Sequence, residues 1–117
     1  MRVKSLLVAA ALAAALAVAA AAQPVKIAVI MPSATTDAAF SQSMWQALQS
    51  VQKEMGGESA IELKYTENMW NVPDAAAAIR DYASSGFDIV IAHGSQYGSS
   101  VQEIGRASCR ERVYSNV

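Results

Sequence analysis

The run Val25-Lys-Ile-Ala-Val-Ile-Met31 is apolar and largely β-branched, with one lysine near its start. A short continuous run of this kind reads as a strand buried on both faces, the sort found inside parallel sheets. The polar segment Pro32-Ser-Ala-Thr-Thr-Asp-Ala-Ala39 follows at once, and a helix is predicted to begin at about Phe40. In an open α/β sheet, ligands bind beyond the carboxyl ends of the strands, where such loops converge. Val25–Phe40 is therefore expected to be both the first strand of a sheet and the first wall of a site.

The rest of the chain repeats the alternation. Pro32 and the Ser/Thr cluster make a loop, and Thr36 or Asp37 is placed to cap the next helix through a side-chain oxygen. Phe40, Met44, Leu48, Val51 and Met55 recur at spacings of three and four, which predicts one apolar helical stripe ended by Gly56-Gly57. Ile61, Leu63 and Tyr65 alternate with Glu62, Lys64 and Thr66, the pattern of a second strand with one wetter face. Glu67–Val72 is a loop carrying Trp70. Pro73 suits a first helical turn and Asp74 the positive end of a helix dipole. That helix is predicted to run to about Ser85 with Ala76, Ile79 and Ala83 inward, and Gly86 ends it. Phe87–Ala92 is a third apolar strand, Gly94–Gly98 a loop, and Ser99 opens another helix. Strands and helices in the order β-α-β-α-β-(α) predict an α/β fold with a parallel sheet and right-handed crossovers. Three strands and two helices are half of a doubly wound domain.

The amino terminus has a different character. Met1-Arg2-Val3-Lys4 is basic, Leu6–Ala22 carries no charge, and Ala20-Ala21-Ala22 ends in small residues. Residues 1–22 are read as a secretory signal peptide; the alternative is a short membrane anchor, against which the alanine-rich composition argues. No cysteine near the cleavage site offers a lipid attachment point. From Gln23 to Gln102, Lys26, Lys53, Lys64 and Arg80 stand against Asp37, Glu54, Glu58, Glu62, Glu67, Asp74, Asp81 and Asp88, a net charge of −4. Nucleic acid and anionic membranes are poor partners for such a surface.

Several chemistries lack their residues. Neither a G-x-G-x-x-G nor a G-x-x-x-x-G-K-[ST] loop is present, so phosphate-cradling glycines are missing, and there is no G-x-S-x-G elbow. His93, the single histidine, has no histidine or cysteine partner and reads as a packed or hydrogen-bonded residue at a strand end. What remains is one edge. The segments after the three strands bring Asp37, Phe40, Trp70, Gln96 and Tyr97 toward a common crevice. Flat rings with a few polar groups suit a small planar or polyhydroxylated ligand. Each residue also has a plainer role open to it: Phe40 as core, Asp37 as a helix cap, Trp70 as a cover for an apolar edge, Tyr97 as loop packing.

Asp37-Ala-Ala-Phe40-Ser41-Gln42-Ser43-Met44-Trp45 resembles the D-x-G-F-N-Q-x-x-W/Y stretch of the basic membrane protein (BMP, PnrA-like) family, substrate-binding proteins of ABC importers. Asp88–Gly98 resembles the third strand and glycine/aromatic loop of that family. The resemblance spans Val25–Gln102 and implies a type I periplasmic-binding-protein fold of two α/β lobes that close on ligand. Residues 23–102 would be the start of the first lobe. It further implies a non-enzymatic receptor for a purine nucleoside or base, with no cofactor or metal, a periplasmic location, an ABC permease as partner, and a monomer when full length. A membrane-associated form is the alternative location. Carried onto this sequence, Asp37 matches a ligand-contacting acid and Phe40 the ring that stacks on the base; with Trp70, Gln96 and Tyr97 from the strand-end loops and Ser41, Gly94 and Ser99 beside them, these are the expected ligand contacts. Ser41 stands where the family usually has asparagine and Ser99 where it often has aspartate, so two polar arms are shortened. A sugar-type receptor, a ligand-sensing input domain and an exported α/β enzyme are the other readings.

The end of the chain does not fit this picture. Glu103-Ile-Gly-Arg-Ala-Ser-Cys-Arg-Glu-Arg-Val113 resembles one reading frame of a common DNA-sequencing adapter. Residues 103–117 are therefore expected to be a non-native, poorly packed tail, and Cys109 to have no redox or catalytic role.

Overall fold

The computed structural model describes residues 22–114, with side chains to residue 107. All but the last residue of the leader predicted over residues 1–22 lies outside them, as do the side chain of Cys109 and residues 115–117.

The apolar run forms strand β1 (Val25–Ile30), which has a neighbour on each side. On one side lies β2 (Ile61–Thr66) and on the other β3 (Ile89–Ala92), giving the order β2–β1–β3. Both pairings are parallel, with Val25 opposite Ile61 and Ile27 opposite Ile89. The central position explains why β1 needs no polar face. Val29, Ile30 and Met31 are fully buried, each contributing about 1.5–3 kcal/mol by leaving water.

Register decides which face each side chain joins, because parallel partners project to the same side. Ile27 and Val29 share a face with Leu63 and Tyr65, and this face carries α1 (Phe40–Glu54). The Trp45 ring lies 4.6 Å from that of Tyr65, and Gln52 donates to the Ile61 carbonyl at 2.8 Å. Ile30 shares the other face with Val90 and Ala92; there it packs with Ala75 and Ile79 of α2 (Val72–Ser84), with Tyr97, and with Ile104 of α3 (Gly98–Tyr114). Helices on opposite faces are what right-handed crossovers require when β2 and β3 flank β1 on opposite sides. α2 starts as its sequence predicts, with Pro73 in the first turn and the Asn71 side chain accepting from the Asp74 amide at 3.3 Å. No helix among the described residues is long and apolar enough to cross a membrane.

Four local expectations change. The inward line of α1 is Ser41, Met44, Trp45, Leu48 and Gln52, while Phe40, Val51 and Met55 are exposed. Docking on Tyr65 turns the helix away from the stripe that the spacing marks. In α2 the buried residues are Ala75, Ala76 and Ile79, and Ala83 is exposed. β3 begins at Ile89 rather than Phe87 and is an edge strand; Ile89 is exposed, because no described strand pairs beyond it. Finally, packing does not stop at Gln102. Ile104 of α3 is buried with Tyr97, the last residue before that helix, and Glu103 pairs with Arg80 of α2 at 3.5 Å.

Candidate functional site

The strand order reverses at β1: the chain leaves it for β2 on one side and returns to β3 on the other. Such a switch point opens a crevice between the loops after β1 and β3. Two rings meet there. Phe40, the first residue of α1, stacks on His93, the residue after β3, with centroids 3.8 Å apart and planes 17° from parallel. His93 Nε2 is 3.1 Å from the Phe40 carbonyl oxygen, and the His93 amide donates to the Ile30 carbonyl at 2.8 Å. Phe40 remains 51% exposed. Its ring is a surface feature and not the core residue that its stripe position allowed.

The loop before Phe40 is built around Asp37. One carboxylate oxygen accepts from the amides of Ala39 (2.9 Å) and Gln42 (3.1 Å). The other accepts from the Ser33 hydroxyl and from the Ser41 amide at 3.0 Å. A carboxylate has about four lone-pair sites, and here all are filled from within the chain. Asp37 is thus the cap of α1, with its charge at the positive end of the helix dipole. The Gln42 side chain reaches back to the Ala38 amide at 2.9 Å, and Ala38 sits in the left-handed region at φ 59°. Strain of this kind persists where surrounding bonds over-determine it. Here it aims the chain into α1 and sets the position of Phe40.

The Ser33 hydroxyl and the amides of Ala39, Gln42 and Ser41 hold the Asp37 carboxyl well below the usual carboxylate range. A depressed folded-state pKa means that stability is present above the unfolded value, near pH 4, and is lost as pH falls below it. Asp37→Ala should therefore lower the melting temperature at neutral pH by roughly 4–8 °C, the usual scale for a lost cap in a small domain. It should also flatten the decline in melting temperature between about pH 5 and pH 2. An acid limb as steep in the variant as in the parent would contradict this account.

The other expected contacts divide. Ser41 is fully buried, its Oγ 2.8 Å from that of Ser33, so it belongs to the cap and does not face the crevice. Tyr97 is also fully buried, and its hydroxyl donates to the Met69 carbonyl at 2.7 Å. Burial pushes the Tyr97 phenol up, against an opposing hydrogen bond from Gln96. Both residues turn inward for the same reason: each is short of water and has its polar atom satisfied by the fold. Gly94 lets the chain pass close to its neighbours, since a Cβ there would lie 2.6 Å from Gln96 Oε1 and 2.9 Å from Tyr97 Cε2. Gln96 is half-buried, Ser99 is exposed in the first turn of α3, and Trp70 is 70% exposed on the β2 loop.

Three contacts join the three loops in a ring. The Thr35 amide donates to Glu67 Oε2 at 2.6 Å, tying the β1 loop to the β2 loop. Tyr97–Met69 ties the β3 loop to the β2 loop, and His93–Phe40 closes the ring between the β3 and β1 loops. Glu67, Met69 and His93 are absent from the sequence-predicted site. A polar residue after a strand is the only signal Glu67 and His93 give, and a backbone acceptor such as Met69 gives none. Among the described residues no three His, Cys, Asp or Glu side chains converge as a metal site. The edge can hold a flat ligand by stacking on the exposed face of Phe40.

The sequence profile of the Bmp family, described as ABC transporter substrate-binding protein PnrA-like, matches residues 24–110. The chain belongs to this family. Among solved structures, an ABC transporter system solute-binding protein from Conexibacter woesei DSM 14684 is similar in fold, with a TM-score of 0.62 and 25% sequence identity. The alignment covers 71% of this chain and 26% of that one, so this chain spans about a quarter of the length of the solved relative. No curated protein shows significant sequence similarity. The family is one of ABC transporter substrate-binding proteins, and the solved structure of similar fold is a solute-binding protein of such a system.

Proposed function

We propose that this chain is the opening segment of the first lobe of an exported receptor that captures a small planar ligand, of purine base or nucleoside class, for an ABC permease. The observation that carries the ligand class is the half-exposed Phe40 ring at the β1/β3 switch point, backed by His93. A flat heterocycle gains most from such a surface, because stacking needs only a π-face. Gln96 and Ser99 lie on the same edge, in the short turn and the first helical turn after β3, and would supply polar groups to fix orientation. Release and capture would follow hinge closure of a second lobe over this edge, the closed form being favoured by ligand contacts to both. The signal peptide predicted at the amino terminus supports a periplasmic location.

Asp37 and Ser41 are engaged within the cap, and Ser99 is short, so few polar arms remain for a ribose. Calorimetric titration of the two-lobed protein read from the uninterrupted gene should therefore show adenine competing about as well as adenosine. A strong preference for the nucleoside would refute the base-centred reading. Absence of binding by either compound would refute the ligand class.

The resemblance of Glu103–Val113 to adapter sequence is a separate proposal, with its own check. An independently cloned genomic locus should continue past Gln102 with apolar helix positions, and Ile104 would then occupy a site that another apolar residue fills in the natural protein. Finding Gly-Arg-Ala-Ser-Cys-Arg-Glu-Arg in that clone would show the tail to be native.

A further inference from the structure

We infer that His93 is a positioning residue for ligand: it holds the Phe40 ring as a fixed platform whose outer face receives the planar group. The inference rests on the reading of Phe40 as the stacking ring. Phe40 opens α1 and is half-exposed, so without a neighbour its side chain would exchange between staggered rotamers. His93 removes that freedom in two ways. Its imidazole lies flat on one face of the ring at 3.8 Å, and Nε2 at 3.1 Å from the Phe40 carbonyl oxygen fixes the imidazole itself. The base of His93 is anchored in turn by its amide on Ile30, in the central strand. His93 is less exposed than Phe40, which puts the imidazole on the protein side of the stack and the benzyl face outward. A ligand that meets an immobilised ring has less side-chain freedom to remove on binding, so the platform increases affinity without touching the ligand.

The test is a double-mutant cycle on the two-lobed protein, titrated with adenine and adenosine. His93→Ala should weaken binding about 3- to 10-fold, the range expected from the loss of one aromatic pair. His93→Phe, which keeps a flat ring at the end of β3, should restore affinity to within about 2-fold. His93→Gln, which keeps a polar arm but no ring, should behave as alanine does and covers the case in which the alanine variant fails to fold. In a Phe40→Ala background His93→Ala should have no further effect, because its action passes through that ring. An unchanged or tightened affinity in His93→Ala, with Phe40→Ala weakened, would overturn the inference and leave the role of Phe40 standing. Equal losses from His93→Ala in both backgrounds would show a general structural effect and also overturn it. If Phe40→Ala itself leaves affinity intact, the underlying reading fails and the inference falls with it.

Discussion

Phe40→Ala in the two-lobed protein should weaken binding of adenine roughly 5- to 150-fold, with little change in the stability of the ligand-free form. Truncating an aromatic ring that stacks on a base removes about 1–3 kcal/mol, and each 1.4 kcal/mol is a factor of ten. The apo protein should hardly respond, because the ring is 51% exposed and its partner His93 is itself only partly buried; such surface changes usually stay within about 0.5 kcal/mol. Calorimetric titration and apo thermal melting together decide the matter. Intact affinity with a sharply lower apo melting temperature would make the ring a packing residue and remove it from the site.

Tyr97→Ala should produce the opposite pair of results, a large loss of stability before any question of ligand arises. Among the described residues Tyr97 is the largest fully buried side chain, packed with Ile30, Ala75, Ile79 and Ile104. Truncating a buried aromatic residue to alanine costs about 3–5 kcal/mol, from lost burial and from the cavity left behind. Tyr97→Phe separates the ring from its hydroxyl. It leaves the Met69 carbonyl without its 2.7 Å donor and should cost about 1 kcal/mol. Urea unfolding of the two-lobed protein measures both. A loss under about 1 kcal/mol for Tyr97→Ala would mean that the cluster around Ile30 does not depend on this ring.

These two results separate residues that sequence reasoning had grouped at one edge. Phe40 and Tyr97 both follow a strand end, both are aromatic, and the loops that carry them are both expected to reach one crevice. Their fates differ because Phe40 opens a long helix turned by its docking on Tyr65, whereas Tyr97 ends a short helical turn directed into the α2–α3 side of the sheet. Asp37 shows the same limit from the polar side. A single acid before a helix reads equally as a cap or as a ligand contact, and only the positions of Ser33, Ala39, Ser41 and Gln42 show that its oxygens are already filled.

The strands, helices and their parallel order were legible in the chain because their causes are local. An apolar run such as Ala28–Met31 needs cover on both faces, Gly56 and Gly57 end a helix with φ of 116° and 81°, and Asn71 with Pro73 starts one. The family too could be read from one contiguous motif beside Asp37. The inward line of α1, the open edge at Ile89 and the stack of Phe40 on His93 were not legible. Each is set by residues distant in sequence, 53 positions in the case of Phe40 and His93. A helix advances by about 100° per residue, so a rotation of roughly half that step against Tyr65 is needed to bring Ser41 inward and leave Phe40 out. That rotation is chosen by packing across the sheet, and no window of neighbouring residues contains it.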